Sequence, residues 1–271
     1  MKIKYEQPGN TLDLHYRLMG GADETLPMLV FLHGMFGSGG NMGGIARAFE
    51  KTHRVLLVDL RNHGRSPADD LMDYPCMVAD LTALLDRLDV PRCSLIGHSM
   101  GGKVAMYFAL TQSSRVQQLV CLDMAPVTYP ARFGHIFEAL LSVSLEQVTS
   151  RSQVIEQLEE RLEDPRLRAF LAHSLESSET GWRWRFNLAA LQANGELLRS
   201  FPELPSHRQY SGPALFLYGD QSDYMQPEYW PAIIRRFPQA RSRAVIGAGH
   251  WLHADSREEV ISVLQGIFGV A

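Results

Sequence analysis

Six short runs of nearly unbroken apolar residues punctuate the chain: MLVFLH (28–33), RVLLVDL (54–60), CSLIGH (93–98), VQQLVCLD (116–123), ALFLYG (214–219) and SRAVIG (242–247). Runs of this length, rich in Val, Leu and Ile, predict strands covered on both faces. Most are separated by longer stretches in which apolar positions recur every three or four residues. In YPCMVADLTALLDRLDV (74–90), Met77, Leu81, Leu84, Leu85 and Leu88 fall along one face of a helix. Strands alternating with helices predict an α/β fold, a mostly parallel central sheet with helices on both faces. The rhythm breaks once. From 127 to 210 helical patterns follow one another, among them FGHIFEALLSV and SRSQVIEQLEERLED, with no strong strand run between them. The expected organisation is a core domain of residues 1–126 and 211–271, interrupted by a helical cap, or lid, of residues 127–210. The charges along 156–168 read as a solvated helix face.

Composition narrows the function. A chain of 271 residues suits one large domain with an insertion. Its net charge of −4 speaks against nucleic acid or an anionic membrane as partner, since both call for a basic patch. No segment approaches the roughly 20 apolar residues of a membrane span. MKIKYEQPGN at the start has no apolar stretch after its lysines, so no signal peptide is expected and the cytoplasm is the expected compartment. Cys76, Cys93 and Cys121 cannot all pair with one another, and two of them sit in strand-like runs, so buried free thiols are expected. Oligomeric state leaves no mark on the sequence.

Chemistry concentrates at GHSMG (97–101). A serine between two glycines, where an apolar strand meets the small-residue helix MGGKVAMYFAL, fits the Gly-x-Ser-x-Gly elbow. There a strained turn lifts the hydroxyl above the sheet, and the glycines let strand and helix pass closely. The helix that follows turns its positive end toward developing negative charge. Ser99 is thus a candidate nucleophile, and it needs a base. Among the ten histidines, His33 and His98 stand beside turn glycines and His63, in DLRNHGRS, fits a loop brace. His250 differs: it follows the last strand in GAGHWLHAD, which brings it to the same carboxyl edge of the sheet as Ser99. His253 lies three residues further on, but a metal held by these two would lack a third ligand, so no metal is expected. Two carboxylates compete to orient the imidazole: Asp123, in VCLDMAPVTY, and Asp223, in LYGDQSDYM. Both satisfy the chain order Ser, Asp, His.

A glycine-rich loop, VFLHGMFGSGGN (30–41), follows the first strong strand. In this arrangement an oxyanion hole joins one N–H of that loop to the N–H after the nucleophile, here Met35 or its neighbour Phe36, together with Met100. Neither G-x-G-x-x-G nor the P-loop pattern occurs, which argues against a nucleotide site. In the cap, GWRWRFNLAAL (181–191) alternates Trp182, Trp184 and Phe186 with Arg183 and Arg185. The aromatic side can be cap core or an acyl wall, and the arginines could meet an anionic headgroup such as a coenzyme A phosphate. Phe36, Trp184 and Arg183 are accordingly the candidate substrate contacts.

Together these residues resemble the α/β-hydrolase superfamily over nearly the whole chain. HGMFGSGGN, DLRNHGRSP, YPCMVADL, GHSMGGKVAM, LDMAPVTY, WRFN and GAGHWLHA, in that order, resemble the bacterial YbfF-type esterases and the related mitochondrial abhydrolases. The resemblance implies a soluble hydrolase of small-molecule carboxylic esters or acyl-thioesters, without a cofactor and with a small helical cap. It also implies Asp123 as the triad acid, because LDMAP matches the block that carries it; in the commoner superfamily pattern the acid lies near Asp223. A cofactor-free haloperoxidase or perhydrolase, or a carbon–carbon bond hydrolase, could run on the same triad, and peracid formation or ring-fission diketones would reveal them. A ligand-binding receptor is the reading from another class, and it would keep its function in Ser99→Ala.

Overall fold

The computed structural model describes residues 11–21, 23–179 and 181–269. The first ten residues, read above for a signal peptide, lie outside them. All six apolar runs form strands. In chain order the core contains β1 (Tyr16–Met19), β2 (Met28–Leu32), α1 (Gly39–Ala46), β3 (Arg54–Val58), α2 (Tyr74–Arg87), β4 (Cys93–His98), α3 (Met100–Thr111) and β5 (Val116–Leu122). The chain then leaves the sheet for α4 (Gly134–Ser142), α5 (Arg151–Glu159), α6 (Pro165–His173), the hairpin β6 (Leu175–Ser178) and β7 (Gly181–Trp184), α7 (Leu188–Ala193) and α8 (Gly195–Arg199). It returns with β8 (Ala214–Gly219), α9 (Trp230–Arg236), β9 (Ala240–Val245), α10 (Leu252–Asp255) and α11 (Arg257–Phe268).

The main sheet runs β1-β3-β2-β4-β5-β8-β9, with β1 antiparallel to β3 and the other pairs parallel. Both faces are covered, which is why the inner strands read as unbroken apolar runs. Successive residues of a strand point to opposite sides. Leu29, Phe31, Val55, Leu57 and Ile96 pack on one side with Met42, Ile45, Val260 and Leu264 of α1 and α11. Val30, Leu32, Leu56, Val58 and Leu95 pack on the other with Met77, Leu81, Val104 and Phe108 of α2 and α3. Asp73 caps α2 by accepting the Cys76 N–H at 2.8 Å, with Pro75 in the first turn, where its missing donor costs nothing.

Three details differ from the sequence expectation. β1 was not expected: it is a four-residue edge strand whose central positions, Arg17 and Leu18, are exposed. β9 starts two residues earlier than its apolar run, because register with β8 pairs Ala214 with Ala240. The segment between β5 and β8 is not purely helical, since it contains the β6–β7 hairpin. No described helix is long and apolar enough to cross a membrane. The three cysteines are buried, and burial pushes the Cys93 thiol up to about 12.

Candidate active site

β4 ends at His98 and α3 begins at Met100, so Ser99 alone makes the connection. Its backbone sits at φ 52°, ψ −121°, a region that strains any residue but glycine. The turn is held by hydrogen bonds on both sides: Ser99 N–H donates to the Leu122 carbonyl at 3.1 Å, and the Ser99 carbonyl accepts from the Gly102 and Lys103 N–H groups. A methyl group on Gly97 would stand 2.2 Å from the Gly101 carbonyl oxygen, and one on Gly101 2.4 Å from that of Leu32. The two glycines of the motif are therefore required by the close approach of strand and helix backbones.

His250 lies in the loop between β9 and α10, and Asp123 directly follows β5 at φ 55°. The Ser99 hydroxyl donates to His250 Nε2 over 3.0 Å, and His250 Nδ1–H donates to Asp123 Oδ2 over 2.6 Å. Because a carboxylate only accepts, it holds the proton on Nδ1 and leaves the Nε2 lone pair facing the serine. The Asp123 carboxylate is fully buried and also accepts the Gly219 N–H at 3.3 Å and the Ser222 hydroxyl. Tyr224 stacks on the imidazole at 3.9 Å, and His98 Nε2–H donates to the His250 carbonyl at 2.9 Å, so the ring is fixed from several sides. Asp223 points outward instead and pairs with Arg132 at 2.5 Å. It is Ser222, one residue earlier, that reaches inward to Asp123.

Residues 34–37 form a tight turn closed by Gly37 N–H donating to the Gly34 carbonyl at 3.1 Å, with Phe36 at φ 65°. A positive φ at the third position marks a type II turn. Of the two donors considered in this loop, Phe36 N–H is engaged by His63 Nε2 at 3.2 Å. Among the described residues no acceptor meets the Met35 or Met100 N–H. Above Ser99 and His250 opens a cavity of about 200 Å³ walled by Phe36, Phe133, Ile136, Leu167, Phe170 and Trp251.

Of the substrate contacts expected from sequence, Phe36 lines this cavity, whereas Trp184 and Arg183 do not. Trp184 stacks on Phe186 at 5.3 Å, and Phe186 in turn packs against Phe36 at 5.1 Å, which puts Trp184 one layer too far out. Arg183 is directly opposite Glu176 in the hairpin and pairs with it at 2.6 Å. Both line a separate surface groove with Asn62 and Arg65. The walls contributed by α4, α6 and Trp251 are not legible in the sequence, because apolar residues carry no sign of whether they meet a core or a cavity. Ser222 was missed for a related reason, since a serine in a turn is ordinary.

The remaining histidines near the site are held neutral. His33 donates from Nδ1 to the Gly34 carbonyl at 2.8 Å and accepts the Leu60 N–H at 3.0 Å, while His63 donates from Nδ1 to the Arg61 carbonyl at 2.9 Å. Burial lowers the pKa of His33 and His98, brings His63 down to about 3 and His253 down to about 4. Among the described residues no group of three or more His, Cys, Asp or Glu is placed to hold a metal ion. A stability consequence follows from the buried rings. Their folded pKa lies below the ordinary 6.5, so between the two values the unfolded chain binds more protons. Stability is fully present above pH 6.5 and falls as the pH drops toward 4, by about 1.4 kcal/mol per pH unit for each such histidine. The urea midpoint measured against pH checks this; a midpoint unchanged between about pH 6.5 and 5 would contradict it.

The sequence profile described as alpha/beta hydrolase fold matches residues 27–256. The chain belongs to the α/β-hydrolase family. Within that family it is similar to the sn-1-specific diacylglycerol lipase ABHD11 of Xenopus tropicalis, 42% identical over 259 residues, 93% of this chain and 80% of that protein. It is also similar to esterase YbfF of Escherichia coli K12, 36% identical over 238 residues, 88% of this chain and 91% of that protein. Among solved α/β-hydrolases, a marine microorganism esterase matches with a TM-score of 0.90 and 34% identity, covering 94% of this chain and 99% of that one. The resemblance to the YbfF-type α/β-hydrolases read from the seven sequence blocks is thereby borne out.

Proposed function

We propose that this α/β-hydrolase cleaves carboxylic esters of apolar acids, or the corresponding acyl-thioesters, by acyl transfer through Ser99. The observation that carries the reading is the unbroken hydrogen-bonded line from Ser99 through His250 to Asp123 on the floor of an apolar cavity. Ser99 Oγ attacks the acyl carbonyl while His250 Nε2 takes its proton, and the Met35 and Met100 amides receive the oxyanion. The tetrahedral adduct collapses as His250 returns that proton to the leaving alcohol or thiol. Water, deprotonated by the same imidazole, then attacks the acyl-enzyme, and the acid leaves with Ser99 restored. The ester-hydrolase names of ABHD11 and YbfF support this choice of substrate bond. A coenzyme A headgroup gains no support from Arg183, which Glu176 already engages. The excursion between β5 and β8 serves as the specificity cap, because Phe133, Ile136, Leu167 and Phe170 all come from it.

Two measurements test the proposal. A fluorophosphonate probe is expected to add one covalent adduct, on the peptide containing Ser99. Across a series of p-nitrophenyl acyl esters, kcat/KM is expected to rise about fourfold per methylene until the cavity is filled, from about 0.8 kcal/mol for each buried CH₂. Labelling elsewhere, or rates indifferent to acyl length, would overturn it.

A further inference from the structure

The mechanism above uses Met35 and leaves Phe36, its neighbour in the turn, with no chemical task. Yet Phe36 is the most heavily restrained residue of that loop. Its N–H donates to His63 Nε2 at 3.2 Å, and its carbonyl accepts the Ser174 hydroxyl at 2.7 Å. His63 belongs to the core loop after β3, whereas Ser174 directly follows α6 of the cap. Both are buried, and the phenyl ring of Phe36 packs edge-on against Phe133, Phe137 and Phe186, all from the cap. Cap and core also meet beside this point, where Asn187 N–H donates to the Asn62 carbonyl at 2.8 Å. A non-glycine residue at φ 65° persists only where its surroundings impose it, and here a core imidazole and a cap hydroxyl grip the two faces of one residue. The cap side of that grip is continuous with the acyl cavity, because Leu167 and Phe170, on the helix that Ser174 directly follows, form part of its wall.

We propose that Ser174 and His63 are positioning residues that clamp the 34–37 turn, so that filling the acyl cavity against α6 steadies the Met35 oxyanion donor. Acyl binding remote from the carbonyl is thereby converted into turnover rather than into ground-state affinity. The inference rests on the acyl-transfer reading given above and adds a second role for the cap, beyond shaping the cavity.

The experiment compares Ser174→Ala, Ser174→Thr and His63→Gln with the wild type on short and long p-nitrophenyl esters, each rate normalised to the fluorophosphonate-labelled fraction. Ser174→Ala is expected to lose about 10- to 100-fold in kcat per labelled site, as a misplaced donor does, with KM within about threefold. The loss should be larger on the longer ester, so that the rise of kcat with acyl length flattens. Ser174→Thr, which keeps the hydroxyl, should recover most of the rate. His63→Gln, which keeps an acceptor for the Phe36 N–H, should fall between the wild type and Ser174→Ala. Affinity for a trifluoromethyl ketone, which forms a tetrahedral oxyanion on the serine, should fall in step with kcat/KM. If kcat per labelled site stays within twofold in Ser174→Ala, or its loss is the same for both esters, or threonine gives no rescue, the clamp is overturned while acyl transfer stands. Absence of label on Ser99 in the wild type would overturn both.

Discussion

Replacing Ser99 with alanine is expected to lower ester turnover by about 10⁶ and to abolish fluorophosphonate labelling, while the protein still folds. Without the hydroxyl, no acyl-enzyme forms, and His250 is left with its Nε2 lone pair facing the cavity. Residual hydrolysis would come only from the oxyanion donors and the apolar walls acting on an adventitious water, a contribution of about 10³–10⁴ over solution where such sites have been dissected. The backbone at this position sharpens the test. At φ 52° and ψ −121° a side chain is strained, and the hydrogen bonds on either side of Ser99 hold it there. Ser99→Gly should therefore be as inactive as Ser99→Ala yet more stable, by about 1 kcal/mol, because glycine occupies this region without a steric penalty. Paired denaturation and rate measurements on the two variants check both halves. Turnover in Ser99→Ala above about a hundredth of the wild type, with protein purified free of wild-type carry-over, would place the nucleophile elsewhere.

The path from sequence to this site was unequal in its parts. The central strands were legible because burial on both faces leaves few polar positions in them, so β4 and β8 match their apolar runs from end to end. Ser99 was legible because only glycine tolerates the 2.2–2.4 Å approaches around it, and that requirement prints a five-residue motif. His250 was legible from topology, since the last parallel strand delivers its loop to the same edge. The choice between Asp123 and Asp223 was open in the residues themselves, as both stand at strand ends; only the family resemblance favoured Asp123. In the fold it is Asp123 that faces His250, with Ser222 and Gly219 donating to it across the β5–β8 pair, a long-range arrangement that no local pattern encodes. The misplacement of Trp184 and Arg183 has a similar origin. Alternation within a strand was read correctly, but which layer the hairpin occupies depends on Phe186 standing between it and Phe36.

Asp123→Asn is expected to lower kcat by about 10⁴, whereas Asp223→Asn should leave it within about threefold. The two carboxylates are separated by their surroundings rather than by their chemistry. Asp123 is buried, receives the His250 Nδ1–H at 2.6 Å and is flanked by Gly219 and Ser222 as further donors. An asparagine there keeps one oxygen, which the Gly219 N–H will claim, and turns its amide nitrogen toward the imidazole. That nitrogen can only donate, so it demands a bare Nδ1 and drives the proton to Nε2, where it faces the Ser99 hydroxyl and removes the base. The backbone does not object, since asparagine adopts φ 55° more readily than most residues, and the variant should still fold. Asp223, by contrast, is exposed and pairs with Arg132, an interaction of the surface kind worth about 0.2–1 kcal/mol. Measuring kcat for both variants on one ester, per correctly folded molecule, separates them by about three orders of magnitude. A collapse of Asp223→Asn with Asp123→Asn near wild type would mean that the working enzyme reorganises the loop after β8 to bring the other carboxylate to His250.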